Sequence, residues 1–371
     1  QAVPALRAWS WPAPLATPAT MQIVPESFFE GTEKRIELDF VGDGDLRTTP
    51  DEAWKEVVRL SSTQILHKKE TKHFISYLLS ESSLIVCRRK CILKTCGKTV
   101  PINSVHKVFE LARAAGLDPE WFCYSRKNFL APFAQPSEHQ SKEAEIVSCK
   151  KVCRDIGDMY VLGPVSGEHW LIYDANFLEN DCSKRGDFQV DMMMYGLAPE
   201  VQQVFHTGGE PEGSAACASR MTRASGLGDL VDSLGGEIDD YCFAPYGYSC
   251  NIHAGEAYAM VHVTPQDTCS YASFETNFGA APEGPPEADV GERLNALVGR
   301  VLDIFKPEKF TISLFLDGGA AKAVGGAPFI VANTRYTKTV STLTYFEMDY
   351  SATISNYVSS SSASRKRQRE G

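Results

Sequence analysis

From Glu33 to Phe40 the chain alternates without interruption: Lys34, Ile36, Leu38 and Phe40 fall on one side, and Glu33, Arg35, Glu37 and Asp39 on the other. A period of two marks a β-strand, whose successive side chains point to opposite faces. One face of this strand is mostly apolar and the other is charged throughout. The strand therefore belongs at the border of an apolar layer, and its charged face, taken alone, belongs in solvent.

The rest of the chain supplies partners for it. Tyr77–Val86 and Cys91–Cys96 read as two strands around Arg88-Arg89, and Met260–Thr264, Tyr271–Thr276 and Phe310–Leu316 as three more. Thr49-Pro50-Asp51-Glu52 has the pattern of a capping box with Pro at the first helical position. The helix it starts reaches about Leu60 and buries Trp54, Val57 and Val58. Val105–Ala115 and Glu292–Phe305 are amphipathic, with inward stripes of Val105, Val108, Phe109 and Ala112 in the first and Leu294, Leu297, Val298, Val301 and Phe305 in the second. Residues 131–145, 206–218 and Gly279–Pro286 read as loops. Asp187 and Asp191 are four apart, so on a helix they share a face. Antiparallel hairpins followed by long helices indicate an α+β fold. The recurrence of that unit in both halves hints at duplication, without a detectable sequence repeat.

Composition narrows the function classes. Of 371 residues, 43% are hydrophobic and 23% charged, enough to bury a core in one large domain or two smaller ones. A net charge of -10 argues against general nucleic-acid binding. No run approaches the ~20 apolar residues that span a bilayer. The 11 cysteines are odd in number and spaced as neither a disulfide framework nor a zinc site, so they read as free thiols in a reducing cytoplasm, with no metal. Residues 1–25, rich in Ala and Pro, read as a disordered or artefactual extension, with Met21 as an alternative start. Residues 359–371 read as a disordered Ser-rich and basic tail, which leaves 26–358 as the folded domain.

Leu79-Ser80-Glu81-Ser82-Ser83-Leu84 and Ile92-Leu93-Lys94-Thr95-Cys96-Gly97 carry distinctive chemistry. A serine hydroxyl can attack the carbonyl carbon just before it and turn the amide into an ester. Loss of the serine Cα proton then expels the carboxylate by β-elimination, and hydrolysis of the dehydroalanine leaves a pyruvoyl group at a new N-terminus. The sequence of steps needs a strained peptide bond, an oxyanion stabiliser and a base. A pyruvoyl carbonyl forms a Schiff base with an amine and acts as an electron sink. Pairing around Arg88-Arg89 places Ser82 opposite Thr95 with Cys96 beside it. Arg-Arg is not a favoured hairpin turn, so a short register slip stays open, and Cys96 remains close to the Glu81–Ser82 bond either way. Read alone, these are polar strand residues and a buried thiol.

Five further stretches, in order, change that balance: Phe28-Phe29-Glu30-Gly31-Thr32-Glu33-Lys34, Tyr124-Ser125-Arg126-Lys127-Asn128, Pro245-Tyr246-Gly247-Tyr248-Ser249, His262-Val263-Thr264-Pro265 and Ser270-Tyr271-Ala272-Ser273-Phe274-Glu275-Thr276-Asn277. Together with the Ser82 and Cys96 segments they resemble the eukaryotic S-adenosylmethionine decarboxylase family from about Phe28 to Tyr350. The resemblance implies a four-layer αββα sandwich of two antiparallel sheets flanked by helices, with internally duplicated halves. In that setting Glu33, Arg35, Glu37 and Asp39 face the partner sheet as a buried polar network. It implies autocatalytic serinolysis between Glu81 and Ser82, a pyruvoyl cofactor made from Ser82, and decarboxylation of S-adenosylmethionine for spermidine and spermine biosynthesis.

Residue by residue, the resemblance makes Glu81 the new end of the small chain and Cys96 the proton donor to the substrate Cα. Ser249 stabilises the tetrahedral intermediate and His262 takes the Ser82 Cα proton. Glu30 and Glu33 match active-site acids, and Phe29 and Phe243 the aromatic pair around adenine, where π-faces suit a cationic sulfonium. Gln266 stands where a glutamate usually binds the ribose hydroxyls. Glu37, Asp187, Asp191 and Glu275 fall at or near an acidic site that binds putrescine as an activator in some members. Cys123 replaces a usual aromatic, and Asp191 a usual glutamate, which puts putrescine control in question. The resemblance leaves open a monomer, a homodimer or a heterodimer with a paralogue, and a non-catalytic paralogue serves as a regulatory partner in some protists. Such paralogues lose the processing serine, whereas Ser82, Cys96, Ser249 and His262 are all present here. A Ser-His hydrolase built on Ser82 and His262 would lack a G-x-S-x-G elbow, and the sequence offers no evident third member.

Overall fold

The computed structural model describes residues 28–178, 188–267, 269–278, 290–316, 320, 331–346 and 350–360. The first half forms strands β1 (Lys34–Val41), β2 (Ile65–Glu70), β3 (Phe74–Leu79), β4 (Ser82–Cys87), β5 (Lys90–Thr95), β6 (Asp118–Lys127), β7 (Asp158–Leu162) and β8 (Trp170–Asn176). Its helices are α1 (Asp51–Leu60), α2 (Val105–Ala114) and α3 (Lys142–Val152). The second half forms β9 (Phe188–Tyr195), β10 (Glu237–Cys242), β11 (Tyr248–Ala254), β12 (Ala257–Thr264), β13 (Tyr271–Thr276), β14 (Lys309–Leu316), β15 (Tyr336–Tyr345) and β16 (Ser351–Ser359). Its helices are α4 (Pro199–Val204), α5 (Ala215–Ser225), α6 (Leu227–Ser233) and α7 (Val290–Phe305).

The strand orders are β2-β3-β4-β5-β1-β6-β8-β7 and β10-β11-β12-β13-β9-β14-β16-β15. Adding eight to every number in the first order gives the second, so the duplication invisible in the residues is plain in the topology. The pairings are antiparallel, including β4 with β5 and β11 with β12.

Alternation sorts each strand between two environments. Ile36, Leu38 and Phe40 join Trp54, Val58, Val108 and Phe109 in an outer core between the first sheet and its helices. Val190, Met192 and Met194 pack likewise with Leu294, Val298, Val301 and Phe305 of α7. Each such side chain, fully buried, contributes roughly 1.5–3 kcal/mol. The opposite faces meet each other: Met193 and Tyr195 of β9 pack with Trp121 and Cys123 of β6. Arg35 and Glu37 of β1 are buried on that same inter-sheet side, so the charged face of the first strand is covered by the second sheet.

Several local expectations are corrected. Tyr77–Val86 is not one strand: the chain reverses at Ser80-Glu81, and Leu79 pairs with Ser82. The capping box does not form. Pro50 is extended with ψ 145° and occupies the cap position without a side-chain bond, while Asp51 and Glu52 bring acidic charge to the first turn. The loops 131–145 and 206–218 end inside helices, because Ser141 accepts from Ala144 N and Ser214 from Cys217 N as true N-caps of α3 and α5. Met260–Thr264 extends back to Ala257. Asp191 lies on strand β9 rather than a helix. Asp187 and Gly279–Pro286 lie outside the described residues.

Candidate active site

The turn between β3 and β4 sets the chemistry. It has only Ser80 and Glu81 between paired Leu79 and Ser82, and neither is the glycine or asparagine that such turns prefer. The distortion falls on Ser82, whose φ is 121°. A non-glycine residue there stores roughly 1–3 kcal/mol of backbone strain. The expected register holds, with Ser82 opposite Thr95 and Cys96 immediately beyond. Cys96 N–H donates to the Glu81 carbonyl at 3.2 Å, the carbonyl of the bond that Ser82 would attack.

Ser82 Oγ donates to Glu33 Oε1 at 3.0 Å and lies 3.2 Å from His262 Nδ1. His262 Nδ1 is itself 2.7 Å from Glu33 Oε1. Ser83 Oγ donates to Asn251 Oδ1 at 2.7 Å and sits 3.0 Å from His262 Nε2. Neighbours on a regular strand face opposite ways, yet both serine hydroxyls reach one imidazole. The turned backbone at Ser82 makes that possible. Ser249 pairs in register with His262 across β11 and β12 and lines the same cavity.

That cavity measures about 290 Å³ and is bounded by Phe29, Glu81, Ser82, Cys96, Phe243 and Gln266, with Ser249 and His262. Phe29 and Phe243 thus share its wall, as an aromatic clamp requires. A larger groove of about 1000 Å³ on the outer helical face of the first half contains none of these residues.

Electrostatics divide the roles. Burial would push the Glu33 carboxyl up, but Lys94 and His262 outweigh it and hold Glu33 well below the usual range, so it stays ionised. Burial, with Glu81 and Glu33 nearby, pushes the Cys96 thiol far up. Its Sγ lies 3.8 Å from Glu81 Oε2. Cys96 is therefore a thiol, an acid rather than a nucleophile. Burial also raises the Glu81 carboxyl, opposed by Cys96 and Lys34. Glu30 is placed differently from the other expected acids. Its carboxylate accepts from Thr32 N at 3.3 Å and Ala131 N at 2.9 Å, which spends it on holding the backbone.

Behind the cavity lies the inter-sheet network. Lys94 Nζ reaches Glu33 Oε2 at 3.1 Å, Asp191 Oδ1 at 2.9 Å and Glu275 Oε2 at 3.1 Å. Arg35 bridges Glu37 at 2.6 Å and Glu275 at 2.9 Å, and Lys90 also contacts Glu37. Arg35 is where the resemblance implies, whereas Lys90 and Lys94 are cations of the network not expected from the sequence. Lys94 had a signal: it shares a strand face with Ile92 and Cys96 in an otherwise apolar run. Ser83 and Ser273, which reach His262, and Asn251, which accepts from Ser83, had none.

Comparison with known proteins shows the family of the chain. The model of the adenosylmethionine decarboxylase family matches residues 26–358. The chain belongs to the S-adenosylmethionine decarboxylase family. It is 33% identical over 343 residues to the S-adenosylmethionine decarboxylase proenzyme of Dictyostelium discoideum, covering 89% of this chain and 85% of the relative. The Xenopus laevis proenzyme is 34% identical over 299 residues, 78% of this chain and 84% of its own. The fold matches a crystal structure of the Trypanosoma brucei AdoMetDC-delta26 monomer with TM-score 0.55 and 24% identity, over 74% of this chain and 98% of that one.

Proposed function

We propose that the chain is a proenzyme that cuts itself between Glu81 and Ser82 and then decarboxylates S-adenosylmethionine to S-adenosylmethioninamine, the aminopropyl donor for spermidine and spermine. The observation that carries this reading is Ser82 itself: strained at φ 121°, with its hydroxyl bonded to Glu33 and beside His262, at the wall of a cavity that also holds a protonated cysteine.

In processing, Ser82 Oγ attacks the Glu81 carbonyl carbon. Its proton passes to the Glu33–His262 pair, a C–O bond forms, the C–N bond breaks and the amine takes up a proton. The Cys96 N–H already points at the carbonyl oxygen that gains charge, and Ser249 supplies a hydroxyl from the facing strand. His262 then accepts the Ser82 Cα proton as the Glu81 carboxylate leaves. Strain at Ser82 favours the first step because it is released when the amide is lost.

The residues around Ser82 fit a pyruvoyl group there, which when formed supplies an electron sink for a substrate amine. Phe29 and Phe243 hold the nucleoside by their faces, and the ring quadrupole suits the adjoining sulfonium. Cys96, kept protonated, delivers a proton to the substrate carbon that loses CO₂. Ten described cysteines are free thiols, which supports a cytoplasmic setting.

We infer further that the acidic network is balanced largely from within. Arg35 lies between Glu37 and Glu275, and Lys94 among Glu33, Asp191 and Glu275, where an activating diamine would otherwise place its charges. Putrescine is accordingly expected to change processing and turnover little.

Intact mass under denaturing conditions tests the central reading. The expected result is two chains, residues 1–81 and 82–371, the second blocked at its N-terminus and reactive toward carbonyl reagents, with Ser82→Ala left whole. A wild-type chain that stays whole with putrescine present overturns it.

A further inference from the structure

Gln266, in the cavity wall, and Cys269, behind it, form a unit. Cys269 N–H donates to the Gln266 carbonyl at 2.9 Å, closing a tight turn that brings the two side chains together. Cys269 Sγ then lies 3.0 Å from Gln266 Oε1 and 3.9 Å from the Phe29 carbonyl. Phe29 N–H donates to the same Oε1 at 3.3 Å. A backbone N–H can only donate, so the atom facing it is the carboxamide oxygen, and the orientation of the amide is fixed by chemistry. Gln266 lines the cavity while its oxygen is held on the Phe29–Cys269 side.

We infer that Cys269 is a positioning residue for recognition of the substrate's sugar hydroxyls: its thiol, with the Phe29 N–H, holds Gln266 so that a neutral amide donor faces the ligand. This rests on the reading of the cavity as a nucleoside site. A carboxylate at this position would accept from both hydroxyls of a vicinal diol and draw the sulfonium by charge. The oriented amide donates to hydroxyl oxygens instead and adds no charge. Because Phe29 supplies both a ring in the cavity wall and the N–H on Oε1, the thiol couples the aromatic wall to the hydroxyl-binding arm.

Binding of 5′-methylthioadenosine and of its 2′,3′-dideoxy counterpart to the processed enzyme, measured by calorimetry, tests this. The native enzyme is expected to prefer the diol by about 3- to 10-fold, the scale of one net hydrogen bond. Cys269→Ala is expected to lose most of that preference by weakening the diol ligand alone, and Cys269→Ser, which keeps a donor, to retain it. Gln266→Glu is expected to tighten the diol ligand about 3- to 10-fold, because charge-assisted bonds are roughly twice as strong.

Equal weakening of both ligands by Cys269→Ala would show mere packing and overturn the inference, as would an unchanged preference. If Cys269→Ala does not fold, the Cys269→Ser and Gln266→Glu comparisons decide. A native enzyme that binds neither nucleoside overturns the nucleoside reading itself, an outcome distinct from lost discrimination by Cys269.

Discussion

Lys94 touches carboxylates that arrive from both sheets, so its removal tests the site and the fold together. Breaking a buried ion pair from one side typically costs about 3–5 kcal/mol, because the remaining charges stay buried. Lys94→Met is predicted to lower the unfolding free energy by that order and to slow self-cleavage, since Lys94 no longer helps to hold Glu33 ionised. Equilibrium unfolding and timed mass spectra check both. Cys96→Ala separates the two reactions. Its backbone N–H remains, so cleavage is predicted to proceed, while loss of the acid is predicted to cut turnover by about 10²–10⁴-fold. A Cys96→Ala chain that fails to cleave would assign the thiol to processing as well. At this scale Ser82, Cys96, Ser249 and His262 were legible because chemistry restricts which residue types serve, and a family pattern fixed their order. Ser83 and Asn251 were not. Strand alternation sends Ser83 away from Ser82, and only the left-handed φ at Ser82 brings both hydroxyls to His262.

The turns decide which side chains meet. Cys96-Gly97 follows β5 with Gly97 at φ +62°, and three bonds fix the turn: Cys96 N–H to the Glu81 carbonyl, Gly97 N–H to the Glu30 carbonyl at 2.9 Å, and Lys34 Nζ to the Gly97 carbonyl at 2.8 Å. A Cβ at Gly97 would stand 3.0 Å from Phe29 Cε2 and 3.3 Å from Glu81 Oε2. Gly97→Ala therefore combines about 1–2 kcal/mol of backbone strain with pressure on the aromatic wall. It is predicted to lower the melting temperature by several degrees and to raise KM more than it lowers kcat. A change confined to stability would show that the Phe29 ring yields freely. The register of β4 on β5 was readable, because apolar runs flank the reversal at Arg88-Arg89. The reversal at Ser80-Glu81 was not, since it lacks the residues that announce a two-residue turn, and that omission is what loads strain onto Ser82.

On the scale of the whole molecule, the two sheets meet through charge beside their apolar contacts, and the charged part of the junction depends on pH in two opposing ways. Glu33 and Glu37 are held below the usual range by Lys94, His262, Lys90 and Arg35 against the opposing effect of burial. A carboxyl depressed in the folded state stabilises it above the ordinary value of about 4.3 and loses that contribution as pH falls. Asp191 is the reverse. Burial, opposed by Lys94 and assisted by Glu275 and Glu33, pushes it up to about 7. The folded state then binds a proton that the unfolded state has released, so this contribution is present at low pH and is lost as pH rises through about 7. The junction is predicted to be firmest at about pH 4, where the Glu33 and Glu37 contributions are almost complete and that of Asp191 has barely begun to fall. Subtracting the urea midpoints of Asp191→Asn from those of the native chain across pH 3–9 isolates the second effect: the difference should fall between about 4 and 7 and level off above. A flat difference would mean that folding leaves the titration of Asp191 unchanged. No reading of one strand reveals this. The charged face from Glu33 to Asp39 looks made for water until a second sheet, built on the same strand order, covers it, and the burial that reverses its character comes from residues more than a hundred positions away, Asp191 and Glu275 among them.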